Sequence, residues 1–155
     1  MSYGNAYSRI KGLCDYFEAN LPTHIGYVEA EIGVTIPDPA DYVLGYRDVL
    51  SSDRYPLFCC ASDSAIVEDS GQHGIWLTIK VDLVVGFKHS QPAVLEAQLM
   101  GCGDAILNLV EADESLGGLV SGAAVEMLDW YHGAPGSKDL GVVVATVSML
   151  SEIRT

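Results

Sequence analysis

The sequence predicts an α+β fold: an α/β sandwich in which a mostly antiparallel four-stranded sheet is covered by an N-terminal helix and a long central helix. Three observations carry this. Gly74 to Phe87 alternates without a break, with Ile75, Leu77, Ile79, Val81, Leu83, Val85 and Phe87 on one side and Trp76, Thr78, Lys80, Asp82 and Val84 on the other. Asn5 to Asn20 repeats apolar residues at helical spacing, through Tyr7, Ile10, Leu13, Cys14 and Phe17. Pro92 to about Ala112 does the same over a longer run, through Leu95, Leu99, Cys102, Ile106 and Leu109. The alternating stretch is expected at the centre of the sheet, since a slip of one residue would turn Lys80 and Asp82 into the core.

The remaining elements follow in chain order. Asn5 is placed to cap the first helix, and Leu21-Pro22 is expected to end it, because proline disfavours the α conformation in the residue before it. A short second helix is then predicted from Thr23 to about Ile32, stopped by Gly33. Ile36 to Gly45, with two prolines and two aspartates, reads as irregular, and Gly45 to Tyr55 as an exposed loop. Pro56 to Val67 is the first strand, and Glu68 to His73 turns it into the alternating strand as a hairpin. Pro92 suits the first turn of the long helix. Gly101 and Gly103 each weaken that helix by about 1 kcal/mol relative to alanine, and are expected to let it approach the sheet closely. Glu111, Asp113 and Glu114 crowd its C-terminal end, where the helix dipole disfavours acids, so fraying is expected there. Ala123 to Tyr131 alternates poorly, with Val125 and Met127 on one side and Leu128 and Trp130 on the other. Leu140 to Leu150 is the last strand, its apolar face formed by Val143, Ala145, Val147 and Met149, and Ser151 to Thr155 reads as a polar tail.

At 155 residues the chain is expected to form a single domain, residues 1–155, with a full core. A mean hydropathy of +0.24 is high for a soluble monomer and points to self-association. A net charge of −13 argues against nucleic-acid binding, which needs basic surface to neutralise phosphates. No run is expected to span a bilayer, the best candidate being the strand-length Leu140 to Leu150, and MSYGNAYSRIKG lacks the pattern of a signal peptide.

The chemistry-bearing residues make no catalytic or metal signature. His24, His73, His89 and His132 share no ligand spacing, and Asp38, Asp41 and Asp48 do not follow the EF-hand pattern. No nucleophile elbow surrounds Ser64 or Ser121, and the GCGD of Gly101 to Asp104 is not a phosphate loop. Cys14, Cys59, Cys60 and Cys102 are expected as buried free thiols in a reducing compartment. Cys59 and Cys60, being adjacent, should point to opposite faces of their strand. A nucleophilic role for them would need a base such as His73 or His132 beside them. No catalytic residue, cofactor or metal is therefore assigned. Trp76, Trp130 and Tyr131 pack in the core or anchor an interface.

The overall layout, with YPLF at Tyr55 to Phe58 and ADESLGGLV at Ala112 to Val120, resembles the small tail-terminator and tail-completion proteins of long-tailed bacteriophages, the minor-tail-protein-U-like family. The likeness runs from about Ala6 to Leu150. It implies a virion structural protein of the neck, not an enzyme. Such proteins form a ring, usually a hexamer, on the head-proximal end of the tail tube, where they stop tube polymerisation and join the head connector. The implied partners are other copies of the chain, the tail-tube protein and connector or adaptor proteins, with no membrane and no sequence-specific nucleic acid. The implied place is the virion, after assembly in the host cytoplasm. In a ring, neighbours meet through different patches, and exposed edges and loops are natural contacts. The expected contact loops are Gly45 to Tyr55, Glu68 to His73 and His132 to Asp139. The residues singled out are Tyr46, Arg47, Arg54, Tyr55, His73, Trp76, Trp130, Tyr131, His132 and Lys138. Two alternatives stand beside this: another neck component, such as a head-completion or adaptor protein, and a small cytoplasmic enzyme or ligand-binding domain using a pocket between the long helix and the sheet.

Overall fold

The apolar stripe of the first helix does not stop at Pro22. In the computed structural model, which describes residues 5–47, 52–69, 71, 74–133 and 139–153, a single helix, α1, spans Asn5–Ile32. Ile10, Leu13, Cys14, Phe17, Leu21, Ile25 and Val28 form one buried line along it. The expected break at Pro22 and a separate helix from Thr23 are thus corrected. A proline inside a helix costs about 3 kcal/mol through its lost donor and its crowded ring. Burying Leu21, Ile25 and Val28 contributes about 1.5–3 kcal/mol each, so burial wins. Gly33 ends the helix as expected, at φ 72°, its N–H donating to the Glu29 carbonyl at 2.9 Å. Glu29 then takes the Ile36 N–H on its carboxylate at 2.9 Å, which ties the proline-bearing segment to the helix.

That segment holds a strand that the sequence reading left as irregular. β1, Asp41–Leu44, pairs parallel with the start of β2, Leu57–Asp69. Pro37 and Pro39 both precede it, and Tyr42 seats its ring on Phe58, with centroids 4.9 Å apart. β3, Ile75–Lys88, pairs antiparallel with β2, as the hairpin reading expects. After α2, Pro92–Ala112, come β4, Gly122–His132, and β5, Leu140–Ile153. The strand order is β1-β2-β3-β5-β4. The sheet is therefore mixed and five-stranded, not four-stranded. β3 is its middle strand, and every pair except β1 with β2 is antiparallel.

Register explains two further corrections. A bulge between Val125 and Met127 resets the alternation of β4, so Val125, Leu128 and Trp130 share the face of Val147, Ala145 and Val143. The supposed polar tail continues β5 as far as Ile153, and Ser151 is buried, its hydroxyl accepting a hydrogen bond from Arg9 Nε at 3.0 Å.

Both helices pack on the face of the sheet that carries the odd positions of β3. One continuous core joins Phe17, Leu21 and Ile25 of α1, Leu99, Cys102 and Ile106 of α2, and Val81, Leu83, Val85 and Phe87 of β3. The predicted apolar faces of α2 and β5 are buried there without exception. By length and composition α2 could cross a bilayer, which the sequence reading did not anticipate; ten of its residues are buried in this core instead. The two glycines of α2 serve different neighbours. A Cβ on Gly101 would lie 2.5 Å from Ile36 Cδ1, so this glycine admits the chain that follows α1. A Cβ on Gly103 would meet the Trp130 ring of β4 at 3.3 Å, so only this one admits the sheet.

The acidic end of α2 is ordered. Asp113 leaves the helix and accepts hydrogen bonds from the N–H and hydroxyl of Ser115, at 3.0 and 2.6 Å, and from the Gly117 N–H at 2.9 Å. The hydrogen bonds from Ser115, then that from Gly117, hold its carboxyl below the ordinary carboxylate range. The turn needs left-handed backbone at Leu116, Gly117 and Gly118.

Candidate interaction surface

The second face of the sheet carries no helix. Register sets out its rows. Near the start of β2, Val43, Cys59, Val84 and Val144 lie side by side across four strands, and with Leu57 and Val142 they form a small second apolar cluster. Next come Ala61, Asp82, Thr146 and Met127, then Ser64, Lys80, Ser148 and Ala124. This middle band is polar and internally bonded: Thr146 donates to Asp82 at 3.2 Å, and Lys80 pairs with Glu126 across β5 at 3.2 Å. Beyond it lie Ile66, Thr78 and Leu150, and last Glu68, Trp76 and Glu152.

β1 pairs only with Leu57 to Cys60. From Ser62 to Asp69 every residue of β2 is exposed, on both faces. Among the described residues no strand pairs with the outer edge of this half, and none with the outer edge of β4. Each edge is a row of unpaired backbone groups able to template another strand. Each also carries exposed apolar side chains: Ile66 and Val67 on β2, Met127 and Tyr131 on β4.

The residues singled out from sequence fall into three places. Tyr46, Arg47, Arg54 and Tyr55 gather around the paired half of β2. Gly45, at φ 96°, turns the chain out of β1, and its N–H donates to the Cys60 carbonyl at 2.7 Å. Tyr46 is exposed, while the Arg47 carbonyl accepts from the Cys59 thiol at 3.9 Å, over the second face. Burial first of all pushes that thiol above its ordinary range. Arg54 binds the Asp41 carboxylate at 3.2 Å and the Ala40 carbonyl at 3.4 Å, clasping β1 to the entry of β2. Tyr55 is half-buried and precedes Pro56 through a cis peptide bond.

Trp130, Tyr131 and His132 end β4 at the same end of the sheet but on its opposite edge. Tyr131 lies on the uncovered face, exposed. Trp130 faces α2, its Nε1–H donating to the Leu99 carbonyl at 3.1 Å, and His132 Nε2 meets the Glu96 carboxylate. These two are structural ties between β4 and α2. Trp76 stands alone at the far end, flanked by Glu68 and Glu152. His73 and Lys138, with parts of the three proposed contact loops, lie outside the described residues.

The sequence reading missed Ile66, Val67, Met127 and Leu150. A signal for the first two existed: SDSAIVED puts polar residues on both sides of the strand, which marks a half that leaves the core.

All four cysteines are buried and free, and Cys59 and Cys60 face opposite sides of the sheet, as expected. Among the described residues no three His, Cys, Asp or Glu side chains converge in a way that could hold a metal ion. A cavity of about 320 Å³ lies between the first turns of α1 and the β1–β2 corner, lined by Tyr7, Ile10, Leu44 and Cys60 among others. It is not in the position foreseen, between the long helix and the sheet. No protein-family model matches the chain, and no curated protein matches it either.

Proposed function

We propose that this chain is a ring-forming virion structural protein, a tail terminator that caps the head-proximal end of a tail tube and joins it to the head connector. The observation that carries the reading is the pair of unlike edges on opposite sides of the sheet. The β2 edge beyond Cys60 and the β4 edge differ in sequence and register, so copies that join the β2 edge of one to the β4 edge of the next meet heterologously, the geometry that closes into rings. The exposed apolar residues beside those edges would be covered in such an assembly. The net charge of −13 suits a lumen through which DNA passes without being held.

Negative-stain imaging of the purified protein, alone and mixed with tail tubes, tests this. Annular particles and capped tubes are expected; isolated small particles and bare tubes would count against it. A head-completion or adaptor protein is the nearest alternative, and gene neighbourhood separates the two, since a terminator gene is expected just before the major tail protein gene. The cavity beside Tyr7 and Leu44 favours one reading of another class, a binding domain for a small apolar ligand. A thermal-shift screen giving clear hits that are lost in Leu44→Trp would support that reading instead.

A further inference from the structure

We propose that the cavity between α1 and the β1–β2 corner is a binding site for a small neutral aromatic molecule. Three elements build it. The first turns of α1 contribute Tyr7 and Ile10, the exit of β1 contributes Leu44 and Gly45, and β2 contributes Cys60 and Ser62. Ile10 and Cys60 are buried and form the floor, whereas Tyr7 is 65% and Leu44 39% exposed and form the rim. By spacing, Tyr7 belongs to the apolar stripe that Ile10 and Phe17 carry into the core, yet it joins neither buried cluster, and neither does Leu44. Two large apolar side chains thus stand open over an apolar floor, and a guest would cover both.

Size, charge and surface chemistry set the class of guest. A volume of about 320 Å³ equals about ten waters at about 30 Å³ each, so it admits one or two fused rings and not a long acyl chain. Among the described residues no acid, lysine, arginine or histidine lines it. A charged guest would lose water there without gaining a partner. The exposed Tyr7 ring offers a stacking face. The Cys60 thiol turns its hydrogen to the Ile10 carbonyl at 3.9 Å, and its sulfur offers a polarisable contact to a ring edge. The hydroxyls of Tyr7 and Ser62 are the polar groups at the rim, enough for one hydrogen bond to a ring N–H or hydroxyl.

This inference rests on the second of the two readings above, that the cavity binds a ligand, and adds which ligand. A ring-forming chain can carry the site equally, because Ile66 and Val67, the exposed apolar residues of β2, do not line the cavity.

The test titrates the isotope-labelled protein with indole and follows its amide signals by NMR, with indole-3-acetate and dodecanoate as comparisons. Expected are saturable shifts centred on Tyr7, Leu44, Gly45 and Ser62, with a Kd for indole on the order of 0.1–1 mM. Indole-3-acetate should bind at least about tenfold more weakly, for want of a partner for its charge. Dodecanoate should give no saturable shift at these residues. Leu44→Trp, which fills the cavity from an exposed position, should abolish indole binding, and Tyr7→Ala should weaken it at least about threefold. Both spectra should match wild type away from the cavity. Indole-3-acetate or dodecanoate binding here as tightly as indole would overturn the neutral aromatic class while leaving the cavity a binding site. No saturable shift with any of the three would overturn both. Indole binding unchanged in Leu44→Trp would put the guest elsewhere and overturn the site.

Discussion

The two halves of β2 are one strand in two environments. Leu57 to Cys60 is buried on both faces, paired on both edges, and covered by helices on one side and by the second apolar cluster on the other. Ser62 to Asp69 is exposed on both faces and paired on one edge only. The first half belongs to the fold. The second contributes little to it, yet retains Ile66 and Val67 in the open, where the proposed edge-to-edge assembly would cover them.

Substitutions sharpen that contrast in descending order of effect. Phe58→Ala, in the paired half, removes a ring that stacks on Phe17 at 5.6 Å and packs at a tilt against Tyr42 at 4.9 Å. It should cost about 3–5 kcal/mol in a denaturant titration. Gly101→Ala forces a methyl to 2.5 Å from Ile36 Cδ1. Overpacking of about 1–3 kcal/mol outweighs a propensity gain of about 1 kcal/mol, so a net loss near 1 kcal/mol is expected. Gly103→Ala, with its nearest contact at 3.3 Å, should be close to neutral in the same titration. In the projecting half, the double substitution Ile66→Lys and Val67→Lys should change the stability of the isolated subunit by no more than about 0.5 kcal/mol. A large loss there would erase the distinction between the two halves.

The smallest effect concerns pH. The carboxyl of Asp113 is held below its ordinary value of 3.8, chiefly by its bonds from Ser115 and then from Gly117. Its contribution is thus present above the unfolded value and lost as pH falls through the lower folded one. The Tm difference between wild type and Asp113→Asn should shrink on going from about pH 6 to about pH 2. A difference that stays constant would remove Asp113 from the account of that turn.

Much of the fold was legible because local pattern and burial agree. The alternation from Ile75 to Phe87, the stripe of α2 and the faces of β5 all read correctly, for each has one period and one buried side. The errors arise where tertiary contact overrides a local rule. Pro22 signals a break, but Leu21 and Ile25 are buried on the same line as Phe17. β1 hides behind Pro37 and Pro39 because its pairing partner is sixteen residues on, Asp41 opposite Leu57. In β4 the bulge at Glu126 scrambles alternation that the full register restores. Of the interface residues, Tyr46, Trp76 and Tyr131 reach solvent or the uncovered face, but Trp130 and His132 are held by α2. Sequence marks aromatic residues on a strand; only the bulge decides which face they take.

The most direct test of self-association through the projecting half is light scattering after size exclusion, over a concentration series, for wild type and for the Ile66→Lys, Val67→Lys protein. Expected are a wild-type mass that rises with concentration from the 16.6 kDa chain toward a closed ring, and a substituted protein that remains a folded monomer throughout. Equal masses for the two proteins at every concentration would contradict it.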